Sequence, residues 1–471
     1  MKATLPTGTP SGTGTAAPRP ARRRGLGLAG MCLGTGLIIT EASVVNVAVP
    51  TIRLELHADA ATGLWVVDAY ALVLASLLLS AGRLGDRIGA RSGYLLGLAV
   101  FSLGSILCSA APDATLLIAA RAVQGLGAAL IAPAPLTLIT RTYTETVART
   151  KAVAAWVSMG SVGFAAGPLL GGLLVESLGW RSIFLINLPI AAVAAWLIVH
   201  HVEDSPRQSV SFDLWSQLLA VTALTGLVWG CVTSSLHSWS SPTVFGPLAG
   251  GTVVLVVFVL AQHLGARRGR EVLLPPSILA ARPVQAGLFC GAVYNLTLYG
   301  MLIVFTFDFQ DLRHYSAFRT GVAFLPLTLA ATAASTLVSA RAMNAFGARR
   351  CLAYGMSTSG LGLAVLGISP ASAPYWLVAI GFVLFSLGMG LSAPAQTLAV
   401  MSFAPDEHRH MGSSALNTAR QTGGVVGVAL LGAIVSGHLA TGTTAAMAVG
   451  VAGCLLALTA ALRLIPPPQQ S

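Results

Sequence analysis

Three charged side chains interrupt apolar stretches of this chain: Glu41, Asp68 and Arg121. A charge in hydrocarbon costs about 2.5–3.5 kcal/mol on insertion scales, so it needs a partner or a task. Desolvation disfavours an ionised carboxylate and a nearby guanidinium favours it. A carboxyl group balanced between the two can load and release a proton as access to it alternates. Glu41 is therefore read as the principal proton carrier. Asp68 is read as a second carboxylate, for protons or a cationic group, and Arg121 as the partner that tunes both. The plainer readings are a helix–helix hydrogen bond for Glu41, a headgroup-level position for Asp68, and snorkelling to the interface for Arg121.

The elements that must carry these residues are long apolar runs. The chain has 471 residues, 55% hydrophobic and 9% charged, whereas soluble domains carry about 25% charged residues. Runs of roughly 18 or more apolar residues can cross a bilayer. Fourteen are expected, at 25–50, 64–82, 93–111, 114–140, 151–177, 182–200, 213–234, 244–264, 283–307, 321–340, 350–370, 374–401, 412–437 and 443–464. Helices satisfy their own backbone hydrogen bonds in hydrocarbon, so the fold class is an all-α membrane protein. With about 1.5 Å of rise per residue, Glu41 falls roughly 13 Å below the outer end of its span at Pro50. Asp68 and Arg121 fall in the same outer half, where pairing is possible.

The net charge of +11 is carried almost wholly by arginine, since Lys2 and Lys151 are the only lysines. The arginines crowd alternate loops, a pattern of membrane topology and not of nucleic-acid binding. The positive-inside rule makes the crowded side, and both termini, cytoplasmic. Residues 1–24 read as a disordered cytoplasmic tail; a cleaved signal peptide fits less well, because the following run is long and carries Glu41. Cys32, Cys108, Cys231, Cys290, Cys351 and Cys454 each lie in an apolar run without metal-site spacing, as small core residues. Trp156, Trp215, Trp239 and Trp376 fall near span ends, as interfacial anchors do.

An internal repeat divides the chain. Residues 82–91 (GRLGDRIGAR) match 340–349 (ARAMNAFGAR), with Arg83 against Arg341, Gly89 against Gly347 and Arg91 against Arg349. Both segments join an outgoing span to an incoming one. Such a parallel repeat is the plan of a two-halved transporter. The expected organisation is a tail at 1–24, a six-helix bundle at 25–200, an inserted two-helix segment at 201–282, a second six-helix bundle at 283–464 and a tail at 465–471.

Motifs sharpen this plan. Gly82, Asp86, Arg87, Gly89 and Arg91 form a G-x-L-x-D-R-x-G-x-R loop whose glycines permit a tight turn and whose charges can pair across the cytoplasmic mouth. Arg121 belongs to R-x-x-Q-G with Gln124. Gly163, Gly167, Pro168 and Gly171 form a string that lets backbones touch and the helix bend. On these residues the chain resembles the major facilitator superfamily. Glu41-Ala-Ser-Val-Val-Asn46, Trp65-Val-Val-Asp68-Ala-Tyr70, Gly179-Trp180-Arg181 and Asn417-x-x-Arg420-Gln421 resemble its fourteen-helix drug:proton antiporter branch, which includes quaternary-ammonium and methylenomycin-resistance exporters. That branch usually has Asp where Glu41 stands.

The resemblance implies the major facilitator fold, two six-helix halves plus an inserted pair, and proton-coupled multidrug or antibiotic efflux by alternating access. In the family, the Gly-Pro string marks antiporters. A proton-coupled importer or symporter is the alternative. Glu41, Asp68 and Arg121 are the expected proton-coupling residues. Gly82, Asp86, Arg87, Gly89, Arg91, Gly163, Gly167, Pro168 and Gly171 are the expected conformational ones. Asn46, Trp65, Tyr70, Gln124, Tyr294, Asn295, Asn417 and Gln421 are candidates for substrate contact, beside large apolar walls. Asp308 and Asp311 could gate the outer end of the ninth span. Neither a triad, a metal spacing nor G-x-x-x-x-G-K-[ST] appears, so no enzyme, no cofactor and no ATP-driven step is expected. The expected partners are an amphiphilic small molecule, protons and the lipid bilayer, with no nucleic acid. The expected form is a monomer in a bacterial cell membrane.

Overall fold

A computed structural model describes residues 21–205, 207, 213–270, 272–369, 372–405, 409–437 and 439–467. Residues 1–20 and 468–471 of the expected tails at 1–24 and 465–471 lie outside these residues, as do His408 and His438. The first helix, α1 (Ala21–Glu55), already includes Arg22–Arg24, which corrects the inner boundary of the expected tail. It is followed by α2 (Ala60–Ile88), α3 (Ala90–Ala110), α4 (Ala114–Ile131), α5 (Ala134–Thr142), α6 (Thr146–Leu178), α7 (Ser182–Leu185) and α8 (Asn187–His201). Then come α9 (Leu214–Thr233), α10 (Pro242–Arg267), α11 (Pro276–Ala280), α12 (Arg282–Phe307), α13 (Ala317–Ala323), α14 (Leu325–Ala333), α15 (Ser339–Gly367), α16 (Tyr375–Phe403), α17 (Arg409–Gly437) and α18 (Leu439–Leu464). π-Helical segments at Asp308–Leu312 and Ala334–Val338 link α12 to α13 and α14 to α15.

Among the described residues, thirteen stretches are long and apolar enough to cross a membrane, and one of them, Ala317–Gly367, has 51 residues. At about 1.5 Å per residue this is more than twice a hydrocarbon core of roughly 30 Å. It turns at Gly347, whose φ of 70° and ψ of 173° break the helix. The stretch therefore makes two crossings and the bundle has fourteen. Proline supplies other breaks: Pro133 and Pro135 separate α4 from α5 within one crossing. Pro168 stays inside α6 and removes one ladder hydrogen bond.

The repeat seen in the sequence is a repeat of contacts. Gly89, with φ of 101°, turns α2 into α3, and Gly347 makes the matching turn in the other half. Arg91 Nη2 donates to the Val199 carbonyl at 2.8 Å near the end of α8; Arg349 Nη2 donates to Leu462 at 2.6 Å near the end of α18. In each half a glycine seam joins the first and fifth crossings. A Cβ on Gly167 of α6 would collide with Ser43 of α1, and one on Gly423 of α17 with the Ala292 backbone of α12. Both faces can meet because glycine leaves the backbones bare.

Helix α9 lies against both halves, touching α2 and α17, while α10 packs on α9. Gln217 of α9 donates to the Ser76 carbonyl of α2 at 2.7 Å and accepts from Ser80. Trp229 meets Trp65 edge-on at 5.7 Å. The outer side of α10 exposes Phe245, Val253, Val256 and Leu260. Within a bilayer such apolar exposure is solvation by lipid. Trp215, Trp239 and Trp376 are exposed near helix ends. Trp156 is different: α6 begins before it, it donates to Thr35 at 2.7 Å, and it lines the interior.

Gly167→Leu and Gly423→Leu are each expected to lower stability by about 1–3 kcal/mol through overpacking. Gly250→Ala, on an open face of α10, is expected to be neutral or slightly stabilising. Thermal melts of the purified protein measure all three; equal melting temperatures for Gly167→Leu and wild type would rule out a tight α1–α6 seam.

Candidate functional site

Glu41 and Arg121 meet inside the first bundle. Arg121 Nη1 lies 2.6 Å from Glu41 Oε1, and both side chains are about 1% exposed. Arg121 Nη1 also donates to Gln124 Oε1 at 2.6 Å, and Nε to the Val66 carbonyl at 2.9 Å. The guanidinium sits over the Tyr70 ring, 4.5 Å from its centroid. Asn187 Nδ2 donates to Glu41 Oε2 at 2.8 Å, and Gln124 Nε2 to Ser105 at 3.0 Å. Groups from α1, α2, α3, α4 and α8 thus surround one ion pair. Asn187 and Ser105 escape sequence reading because nothing in their spacing ties them to Glu41.

Asp68 does not join this cluster, which corrects the expectation that Arg121 tunes both carboxylates. It is fully buried, and neither carboxylate oxygen has a hydrogen-bond partner among the described residues. Both Asp68 and Val66 are on α2, but their helical positions differ by two residues, so they face different neighbours. Val66 offers its carbonyl to Arg121, whereas Asp68 is close enough to Cys231 of α9 to interact with it electrostatically.

Between the two halves lies a cavity of about 2020 Å³. Its mouth is lined by Gly82, Arg83, Asp86, Arg267 and Arg270, so it opens on the arginine-rich face. Tyr294, Asn295, Asn417 and Gln421 line it, and Asn295 donates to Gln421 at 3.3 Å. Asn46, Trp65, Tyr70 and Gln124 do not line it. Asn46 turns back to the Ala42 carbonyl at 2.8 Å, Trp65 faces Trp229, and Tyr70 and Gln124 belong to the ion-pair cluster. Arg420 lines the cavity as well; the sequence showed it only as part of a motif.

The opposite end is closed by contacts between halves. Gln310 donates to the Val47 carbonyl at 2.8 Å, and Glu176 accepts from the Phe318 amide at 3.0 Å. Arg53 and Asp311 pair across the halves at 3.8 Å. Asp308 instead pairs locally with Arg313, at 2.8 Å. Pro168 serves this end too, since its carbonyl abuts Gly321 of α13. Gly163, Gly167 and Gly171 face α1 within their own half.

The G-x-L-x-D-R-x-G-x-R loop is held by a residue the sequence reading passed over. Asp204, just after α8, accepts from the Arg91 amide at 2.9 Å and from the Ser92 hydroxyl. The Ala90 amide donates to Ser205 at 2.7 Å. Arg83 reaches the Val272 carbonyl in the segment before α11, and Arg87 is exposed. Partial burial raises the Asp204 pKa, but hydrogen bonds from Ser92, Ser205 and Arg91 outweigh it and hold the carboxyl below its usual value.

A bundle of fourteen membrane crossings, built as two repeated halves around a cavity open at one end, is a membrane transporter. Residues 31–428 and 329–471 match the Major Facilitator Superfamily, and the chain belongs to that family. It is 35% identical over 408 residues to the methylenomycin A resistance protein of Bacillus subtilis (strain 168), covering 86% of each chain. It is 32% identical over 443 residues to the protein of the same name from Streptomyces coelicolor, covering 93% of this chain and 92% of that one. It is also 32% identical over 408 residues to the multidrug resistance protein Stp of Mycobacterium tuberculosis, covering 86% of this chain and 75% of that one.

Glu41→Ala would leave Arg121 buried without its counter-charge, at an expected cost of about 3–5 kcal/mol. Asp68→Ala breaks no ion pair and is expected to cost clearly less. Thermal unfolding in detergent compares them, and a larger loss for Asp68→Ala would contradict the pairing. At Asp204 the folded-state pKa is depressed. Its stabilisation is therefore present above the ordinary aspartate pKa and lost as pH falls through the lower folded value. Asp204→Asn is expected to melt earlier at neutral pH and to flatten the acid limb of the melting-temperature profile.

Proposed function

We propose that this chain is a proton-coupled antiporter that exports small amphiphilic molecules by alternating access. Its arginine-rich face and both termini lie in the cytoplasm of a bacterial cell. The observation that carries the proposal is the position of Glu41 on the helix that also walls the cavity. Ile38, Ile39 and Ala42 line the cavity, while Glu41 turns away from it to Arg121. Protonation of Glu41 removes its charge attraction to Arg121. Arg121 keeps Gln124, the Val66 carbonyl and the Tyr70 face, so α1 is released relative to α4. A shift of α1 alters the cavity wall and the α1–α6 seam together. Asp68 serves as a second protonatable group at the contact of α2 with α9.

The direction of transport is supported by the relatives, which are named for resistance to antibiotics or multiple drugs. The cytoplasmic orientation rests on the loop arginines. The chain acts as a monomer and by binding, not by covalent catalysis. Its energy comes from the proton gradient: about 2.3 kcal/mol per charge per 100 mV of potential, and about 1.4 kcal/mol per proton for each pH unit. The gating residues are those of the G-x-L-x-D-R-x-G-x-R loop on the cytoplasmic side and the Pro168, Arg53 and Asp311 contacts outside. Tyr294, Asn295, Asn417 and Gln421 contact substrate.

Export is measured in everted vesicles with the pH gradient and the potential collapsed separately. Wild type is expected to stop when both are lost, and Glu41→Gln to abolish driven export while remaining folded and inserted. Glu41→Asp is expected to retain activity. Wild-type rates in Glu41→Gln would remove Glu41 as the carrier, and export that needs ATP would overturn the antiporter reading.

A further inference from the structure

The charges that line the cavity are one-sided. Arg83, Arg267, Arg270 and Arg420 contribute cations, and Asp86 is the carboxylate among its lining residues. Arg83, Asp86, Arg267 and Arg270 belong to the mouth. Arg420 does not: it lies eleven residues along α17 from Arg409, about 16 Å deeper at the helical rise. An arginine at such a depth marks a functional site by default.

The structure holds Arg420 in place without neutralising it. Nε donates to Gln396 Oε1 at 3.0 Å and Nη2 to the Ala393 carbonyl at 2.9 Å, both on α16. The guanidinium stands 5.6 Å from the Tyr294 ring centroid. A guanidinium has five N–H donors; these two bonds leave three, including both on Nη1. No carboxylate pairs with it among the described residues. Arg121 in the other half is treated differently, for Glu41 meets it at 2.6 Å and both are sealed from the cavity. Gly291 keeps space open beside Arg420: a Cβ there would press on Leu416, the Arg420 stem and Gln396. The cavity that Arg420 lines is also lined by the amides of Asn417 and Gln421 and by the apolar side chains of Phe164, Leu298, Phe385 and Met389.

We propose that the cavity takes amphiphilic organic anions, with a carboxylate bound by Arg420 and an apolar body against the aromatic and aliphatic wall. A planar carboxylate can accept two parallel N–H bonds from a guanidinium whose position is already fixed. A monovalent organic cation would meet no counter-charge at that depth. The proposal rests on the antiporter reading above and assigns its substrate class. It also changes the charge balance of that reading. One monoanion leaving for one proton entering moves two positive charges inward, whereas exchange of a monovalent cation for one proton moves none.

Three probes with one naphthyl body test it: 1-naphthylacetate, 1-naphthylacetamide and (1-naphthylmethyl)trimethylammonium. Binding to the full chain in nanodiscs at pH 7.5 is measured by equilibrium dialysis. The carboxylate is expected to bind at least about tenfold more tightly than the amide or the cation, in line with the discrimination of a buried charged hydrogen bond. Arg420→Gln is expected to remove that preference and Arg420→Lys to restore part of it. Arg463→Gln removes the same charge from the exposed end of α18 and is expected to keep the preference. Equal or tighter binding of the cation, no binding of the carboxylate, or an unchanged preference in Arg420→Gln overturns the proposal. Export of the bound probe from everted vesicles forms the second arm. Collapse of the potential alone is expected to slow carboxylate export strongly. Driven export of the cation with no carboxylate binding would reject the anion proposal and keep the antiporter; carboxylate binding without proton-driven export would do the reverse.

Discussion

Arg121 is buried where no water can solvate it, and the first half of the molecule is arranged to meet that demand. Glu41 from α1, the Val66 carbonyl and Tyr70 ring from α2, and Gln124 one turn along α4 converge on one guanidinium. In hydrocarbon an unpaired charge is too costly to leave. The helices that supply these groups are therefore fixed in rotation as well as in depth. The pair also joins α1 to α4 directly.

The seams of α1 with α6 and of α12 with α17 are made by backbone contact, not by charge. Glycine on α6 and on α17 removes the side chains that would separate them from α1 and α12. These seams hold each half together. The halves meet through apolar packing of α2 on α17 and of α6 on α13, and at the closed end also through polar contacts: Gln310 to Val47, Glu176 to Phe318 and Arg53 to Asp311. The opposite end is held apart, with Arg83 tied to the segment before α11 instead of to the other half.

The inserted helices contribute unequally. Helix α9 is tied to α2 through Gln217 and Trp229, and it covers the side of α2 on which Asp68 is buried. Helix α10 turns most of its surface to lipid. The pair thus seals one flank of the junction between α2 and α17, and the end of α10 with the segment after it adds His263, Arg267 and Arg270 to the cavity wall.

Much of this was determined by the sequence alone. Apolar run length and the paired G-x-R turns at Gly89 and Gly347 dictate fourteen crossings in two repeated halves, because a bilayer admits only internally bonded helices of a set length. The rarity of intramembrane charge singled out Glu41, Asp68 and Arg121 for the same reason. Helix rotation was not legible, since apolar residues surround a lipid-embedded helix and no amphipathic stripe reports which face is inside. Only the tertiary structure decided that Arg121 takes Glu41 and leaves Asp68 to α9. The same packing turned Asn46, Trp65, Tyr70 and Gln124 away from the cavity and brought Arg420 to its wall. Residues two apart on a helix point to different neighbours, and the neighbours are set by packing across the bundle.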